Sequence, residues 1–317
     1  MAVNLLISLG LGLLLLAGVT HWAAARHETR AEAAFPPEGQ LMEIDGVQVH
    51  AVVAGQGPDL VLIHGASGST RDMTFGLAPA LADRYRVIAI DRPGLGYTER
   101  LNESGATITQ QAALLAEAAR RLGAERPLVL GHSYGGAVAL AWAVNHPDRL
   151  AGLVALSAAS QVWDGSLPLF YRITSSHLGS ALAVPLITAF VPDSVVEKAV
   201  AEVFEPQQEP AGYADYFGPA LTLRRVSMRA NAAQRANLLV EIEALAPQYG
   251  EIAVPTEIVH GTADTTVGIH IHSEKLVNQI PGAILTRLPG IGHMPHHVSP
   301  EDVIAAIDRV AARAGLR

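Results

Sequence analysis

A serine, an aspartate and a histidine, far apart in this chain, each follow an apolar run and carry the residue types needed for acyl transfer. They would supply a nucleophile, a carboxylate that orients a base, and the base itself. Ser133 stands in Gly131-His132-Ser133-Tyr134-Gly135, with apolar residues 127–130 before it and small apolar residues 135–144 after it. A strand that turns sharply into a helix strains the backbone at such a serine and leaves its Oγ standing free above the sheet. Glycines on both sides let strand and helix approach closely, and the helix N-terminus brings free N–H groups to a developing oxyanion. Asp264 ends His260-Gly261-Thr262-Ala263-Asp264, just past the run 256–259, and His293 ends Pro289-Gly290-Ile291-Gly292-His293, just past the run 283–288. The chain order is serine, aspartate, histidine.

An oxyanion needs two N–H donors. One is expected from Tyr134, the residue after the nucleophile, and the other from the loop His64-Gly65-Ala66-Ser67-Gly68-Ser69, with Ala66 the first choice and Ser67 the second. With 13 histidines, a lone His says little, and His296 and His297 are rivals to His293. His64 and His260 each close a strand and read as loop supports, and His270 and His272 read as part of a helix. Among the acids, Asp91 and Asp164 are rivals to Asp264. Asp91 reads better as a brace for Asp91-Arg92-Pro93-Gly94-Leu95-Gly96. There is no H-E-x-x-H and no cysteine, so neither a metal nor a cofactor is expected.

The elements that must hold these residues are legible as alternation. Residues 41–44 and 47–54 flank Asp45-Gly46, a hairpin signal. Residues 59–63, 86–90, 127–130, 153–157, 256–259 and 283–288 are compact Val/Leu/Ile runs of the kind buried in a parallel sheet. Helical spacing recurs at 109–122, 135–144 and 300–314. The resulting class is α/β, a mostly parallel sheet with helices on both faces. Residues from about 160 to 235 break the alternation with short helical patterns between prolines, and read as a helical cap on one catalytic domain spanning 41–317.

Taken together, His64-Gly65, Asp91 to Gly96, Gly131 to Gly136, Gly261-Thr262-Ala263-Asp264 and Gly290-Ile291-Gly292-His293 resemble the α/β-hydrolase superfamily, in its capped serine hydrolase branch. The resemblance covers residues 41–314 and implies a sheet-and-cap fold with an esterase- or lipase-like activity. Thr98 stands where many members carry Ser. Relatives that use a carboxylate nucleophile, such as dehalogenases, are disfavoured by Ser133. The expected substrate is a small-to-medium apolar ester, lactone or thioester. A C–C hydrolase or perhydrolase with the same triad is one alternative, and a silent membrane-tethered binding protein is another. Cap aromatics such as Phe170 and Phe190 could line a pocket or form the cap's own core. Arg224, Arg225 and Arg229 read as solvated surface.

Residues 2–25 contain no charged side chain, and 5–19 are almost wholly apolar. That length suits a single-pass membrane helix with Trp22 at the interface. A signal peptide cut after Ala23-Ala24-Ala25, leaving a secreted or periplasmic enzyme, is the second reading, although no basic residue precedes the apolar run. Arg26 and Arg30 favour a cytoplasmic catalytic domain, but the side stays open. Residues 26–40, with Pro36-Pro37, read as a linker. A net charge of -8 gives no footprint for nucleic acid.

Overall fold

Runs of Val, Leu and Ile bury best when both faces of the strand are covered, and the central strands show this residue by residue. In the computed structural model, which describes residues 2–317, eight strands form one sheet. They are β1 (Gln40–Ile44), β2 (Val47–Ala54), β3 (Asp59–Ile63), β4 (Arg86–Ile90), β5 (Leu128–His132), β6 (Gly152–Leu156), β7 (Thr256–Gly261) and β8 (Ile284–Leu288). Their order is β1-β2-β4-β3-β5-β6-β7-β8. β1 and β2 are a hairpin about Asp45 and Gly46, both at positive φ, and β2 lies antiparallel to β4. All later pairings are parallel, with Ile63 level with Ile90 and His132 level with Leu156. The loops that follow β3, β5, β7 and β8 therefore open on the same sheet edge.

Strand alternation divides the core in two. Val61, Ile63 and Val129 face one layer, and Leu60, Leu62, Leu128 and Leu130 face the other. The first layer is closed by α4 (Ile108–Arg121) and α5 (Tyr134–Asn145), through Leu115, Leu140 and Trp142. In chain order, α2 (Thr70–Thr74) and α3 (Leu77–Leu81) come between β3 and β4. With α13 (Pro300–Arg313), α2 and α3 close the second layer through Met73, Leu77, Leu81, Val303 and Ile307. Thr107 caps α4 in a reciprocal box with Gln110, which satisfies two of the orphan donors at that helix start.

Between β6 and β7 the chain leaves the sheet. It forms α6 (Leu169–Thr174), α7 (His177–Phe190), α8 (Asp193–Val203), α9 (Tyr213–Phe217) and the long α10 (Arg225–Leu245), which runs past residue 235. α11 (Ser273–Gln279) and α12 (Pro295–Val298) complete the domain. His270 and His272 lie in the turn ahead of α11 rather than inside a helix.

The N-terminal element departs from the expected linker. α1 is one helix from Ala2 to Ala34, so residues 26–34 continue the apolar helix, and only the short stretch before β1 is extended. Two causes are visible. Residues 26–34 are mostly good helix formers, and their acidic members find partners at the start of α10 and on the residue just before it. Glu28 makes a paired contact with Arg225 at 2.6 and 2.9 Å, and Glu32 reaches Arg224 at 3.0 Å. Thr20, Ala24 and Ala31 are buried at helical spacing, on the side where α1 packs against α7 and the turn before α10. Pro36 ends the helix because the residue before a proline is pushed out of the helical region. Arg224 is only 4% exposed, so it is not the solvated arginine its sequence context suggested. α1 is also the one helix, among the described residues, long and apolar enough by itself to cross a membrane.

Close packing gives a direct test. A Cβ at Gly135 would lie 2.4 Å from the carbonyl oxygen of Ile63 and 2.5 Å from that of His64, whereas one at Gly46 would meet open space. Gly135→Ala is expected to prevent folding or lower the melting temperature by more than 10 °C. Gly46→Ala should cost about 1 kcal/mol, from its positive φ alone. Thermal melts of both variants check this.

Candidate active site

The turn from β5 into α5 holds Ser133 at φ 54° and ψ -116°, a conformation that an L-residue adopts only under constraint. The constraint comes from bonds on both sides. Ser133 N–H donates to the Leu156 carbonyl at 3.0 Å, and the Ser133 carbonyl accepts from Gly136 and Ala159 at 3.0 and 3.1 Å. The Ser133 hydroxyl then lies 2.9 Å from His293 Nε2. His293 Nδ1 lies 2.7 Å from Asp264 Oδ2. The three residues named from type and spacing are thus brought into one hydrogen-bonded chain, and all three are buried beneath the cap.

Asp264 is held as a carboxylate. Burial opposes its charge, but hydrogen bonds from His260 and His293, the charge of His293 and the Val267 N–H together keep its carboxyl well below the ordinary value. Its Oδ1 accepts from Thr266 and Val267 at 2.9 and 2.8 Å. His260 Nε2 faces both Asp264 Oδ2, at 3.1 Å, and the Val267 carbonyl, at 2.7 Å, so it braces the loop from behind.

The loop after β3 lies against Ser133, since a Cβ on Gly65 would sit 3.3 Å from Ser133 Cβ. Ser67 N–H is already used, donating to Asn231 Oδ1 at 2.9 Å. Ala66 N–H has no acceptor among the described residues, and Tyr134, first in its helix, has no intrahelical one. Two N–H groups of the pair expected from sequence are therefore free. Arg92, wholly buried, binds this loop from beneath through the carbonyls of His64 and Gly65 at 3.0 and 2.8 Å. It also reaches Gln111 and Gln234, and stacks over the Tyr134 ring at 4.2 Å.

Several of these contacts had no sequence signal. Asn231 and Gln234 come from the cap helix α10, and a side-chain amide on a helix says nothing about its distant partner. Gln207, also in the cap, clamps the His293 loop by donating to Gly290 O at 2.7 Å and accepting from Gly292 N at 2.8 Å. His132 donates to the His293 carbonyl at 2.9 Å. The rivals go elsewhere. His296 and His297 approach Asp72 at 3.4 and 2.9 Å, beside Tyr213, which donates to the same oxygen. Asp91 pairs with His50 at 2.6 Å and accepts from Thr70 and Tyr97 N–H. Neither group touches Ser133. Asp72, His132 and His296 are the one grouping with metal-like spacing among the described residues. Asp72 Oδ1, His132 Nε2 and His296 Nε2 are engaged in the contacts just described, while His132 Nδ1 and His296 Nδ1 are buried without a hydrogen-bond partner.

The model of the alpha/beta hydrolase fold family matches residues 58–300. The chain belongs to that family. Haloalkane dehalogenase 2 of Mycobacterium tuberculosis is 26% identical over 86% of this chain and 94% of its own length. Among solved structures, the esterase RhEst1 from Rhodococcus sp. ECU1013 superposes with a TM-score of 0.65 at 22% identity, covering 88% of this chain and 99% of that one. A bacterial membrane phospholipase A gives 0.63 at 22% identity, covering 97% and 98%. At such identities the structural likeness speaks for the fold. Family and relatives together make this protein a hydrolase.

This hydrolase buries neutral imidazoles near its site, with a consequence for acid stability. Burial pushes His64, His272 and His296 down to about 4. Unfolded histidine takes its proton near 6.5. Between those values the unfolded chain binds more protons than the folded one, so stability falls as pH falls through that window. By pH 5 each ring should cost about 2 kcal/mol relative to neutral pH. Melting temperatures in detergent micelles at pH 7, 6 and 5 should therefore drop steadily. A flat profile would mean that these rings are charged in the folded protein.

Proposed function

We propose that this hydrolase cleaves a carboxylic ester with an apolar acyl group, and that α1 keeps it on a membrane. Ser133 is the nucleophile, His293 the general base and Asp264 the carboxylate that orients it. The observation that carries this reading is the unbroken hydrogen-bond chain from the Ser133 hydroxyl through both nitrogens of His293 to Asp264.

In the first half-reaction Ser133 Oγ bonds to the acyl carbon and its proton passes to His293 Nε2. The carbonyl oxygen gathers negative charge and accepts from the N–H groups of Ala66 and Tyr134. Collapse of the intermediate breaks the ester C–O bond, and His293 returns its proton to the departing alcohol. Water then attacks the acyl-enzyme and gives its proton to the same ring. Release of the acid restores the Ser133 hydroxyl. Asp264 keeps one tautomer of His293 in place and offsets its transient positive charge.

A hydroxyl nucleophile suits attack at an acyl carbon, which is why the dehalogenase name of one relative is not carried over. The esterase and membrane phospholipase names among the structural neighbours agree with ester cleavage. Coverage of 97% in the second case takes in most of α1. Retention of α1 is further supported by the unbroken helix through Ala23, Ala24 and Ala25, with Ala24 fully buried against the domain. Cutting there would sever a packed element.

The test is turnover of p-nitrophenyl esters, acetyl to dodecanoyl, by the full chain in micelles. Ser133→Ala should lower kcat by about 10⁴-fold or more, and Asp264→Asn by about 10⁴-fold, with both proteins folded. The best chain length reports the reach of the acyl site. Equal rates for Ser133→Ala and the parent would remove Ser133 from the mechanism.

A further inference from the structure

The cap carries an apolar face that nothing in the protein covers. On α7, Leu178, Leu182, Leu186 and Phe190 recur every four residues and so share one side of the helix. They are strongly exposed, with Leu178 at 76%, Leu182 at 65% and Phe190 at 57%. Leu169, Phe170 and Ile173 on α6 add to the same segment. The remaining exposed large apolar residues of the catalytic domain are scattered single side chains, such as Leu41, Val53, Val195, Val240 and Ile284. From residue 169 to 190 there is no Asp or Glu, and Arg172 is the one full cation. Acidic residues do occur directly afterwards on α8, at Asp193 and Glu197.

The position of this face identifies its occupant. α7 packs against α1. The apolar part of α1, residues 3–22, is about 30 Å long at 1.5 Å per residue, the depth of a bilayer core. Trp22 and Arg26, whose guanidinium lies 5.5 Å from the Trp22 ring centroid, mark the level where that core would end. The domain already packs on α1 there at Thr20 and Ala24 and is ion-paired to it through Glu28 and Glu32, with no spacer between span and domain. A helix fixed beside the anchor at this level cannot stand clear of the headgroups. Exposed leucines facing an interface, on a segment without acidic residues, are what a lipid surface accommodates.

We propose that the α6–α7 face of the cap is seated in the headgroup–acyl boundary of the bilayer that α1 spans, making the cap a second membrane contact. The inference rests on the reading of α1 as a retained anchor. Together the two contacts set the orientation of the catalytic domain on the lipid surface.

Because the chain has no cysteine, single Cys variants can be labelled with an environment-sensitive fluorophore in the full-length protein. The sites are Leu13→Cys in α1, Leu182→Cys in the cap, and Glu243→Cys near the far end of α10. In vesicles of four parts phosphatidylcholine to one part phosphatidylglycerol, label 13 should be quenched by deep spin-labelled lipid. Label 182 should be quenched by shallow spin-labelled lipid, and label 243 by neither. Quenching at 13 with label 182 behaving like 243 overturns the cap contact and leaves the anchor standing. No quenching at 13 overturns the anchor and, with it, the cap contact as proposed. Shielding of label 182 that depends on protein-to-lipid ratio, without quenching by lipid, would mean contact between copies and also overturns the proposal. As a second readout, Leu178→Ser with Leu182→Ser should leave turnover of a soluble ester unchanged and lower cleavage of a vesicle-embedded ester about tenfold. Equal rates on vesicles would count against the cap contact.

Discussion

Helix α5 approaches β3, β5 and the chain just past β6 so closely that an added methyl at Gly131, Gly135 or Gly136 would come within 2.4 Å of a neighbouring atom. That closeness forces the chain through the positive-φ turn at Ser133 and brings the Gly65 loop against that residue. It also leaves the first N–H of α5, that of Tyr134, without an intrahelical acceptor. The strain of such a turn, of order 1–3 kcal/mol, is sustained because the surrounding sheet and helix are fully buried and cannot relax around it.

The other half of the site is held by the cap. Asn231 engages the Ser67 backbone and hydroxyl, Gln234 engages Arg92 and the Pro93 carbonyl, and Gln207 engages both Gly290 and Gly292. Each is a side-chain amide that donates and accepts, so each satisfies two groups at once where a charge would leave one buried and unmatched. The loops that carry the free N–H of Ala66 and the ring of His293 are in this way tied to the same insertion. Substitutions in the cap can therefore act on the chemistry without touching a substrate.

Much of this was legible in the sequence because it rests on local rules. Strand-length Val/Leu/Ile runs, the Asp45-Gly46 turn and the Gly-x-Ser-x-Gly spacing each depend on a few adjacent residues, and they lead to the sheet, the hairpin and the Ser133 turn. Asp264 and His293 were legible because each sits a few residues beyond a strand end on the edge where such sites form. What stayed hidden depends on partners far away in the chain. Arg224 reads as a surface cation until Glu32 is folded onto it, and residues 26–34 read as a linker until the start of α10 and the residue just before it supply cations for Glu28 and Glu32. His296 and His297 differ from His293 only by facing Asp72, which no spacing rule reveals. The cap amides are invisible for the same reason.

The pairing of Arg224 with Glu32 bears on how the catalytic domain could be separated from its helix. Arg224 is buried, and its other partners, the carbonyls of Leu221 and Gly96 and the Ser227 hydroxyl, are all neutral. A chain shortened to residue 35 would leave that buried guanidinium without the Glu32 carboxylate, whose half-exposed position screens the pair and tempers the loss. A chain beginning near residue 20 would keep the buried Thr20 and Ala24 together with Glu28 and Glu32, and discard only the exposed apolar part. The structural boundary of the enzyme thus falls inside α1, near Thr20, and the last four turns of that helix belong to the folded domain as much as any strand does.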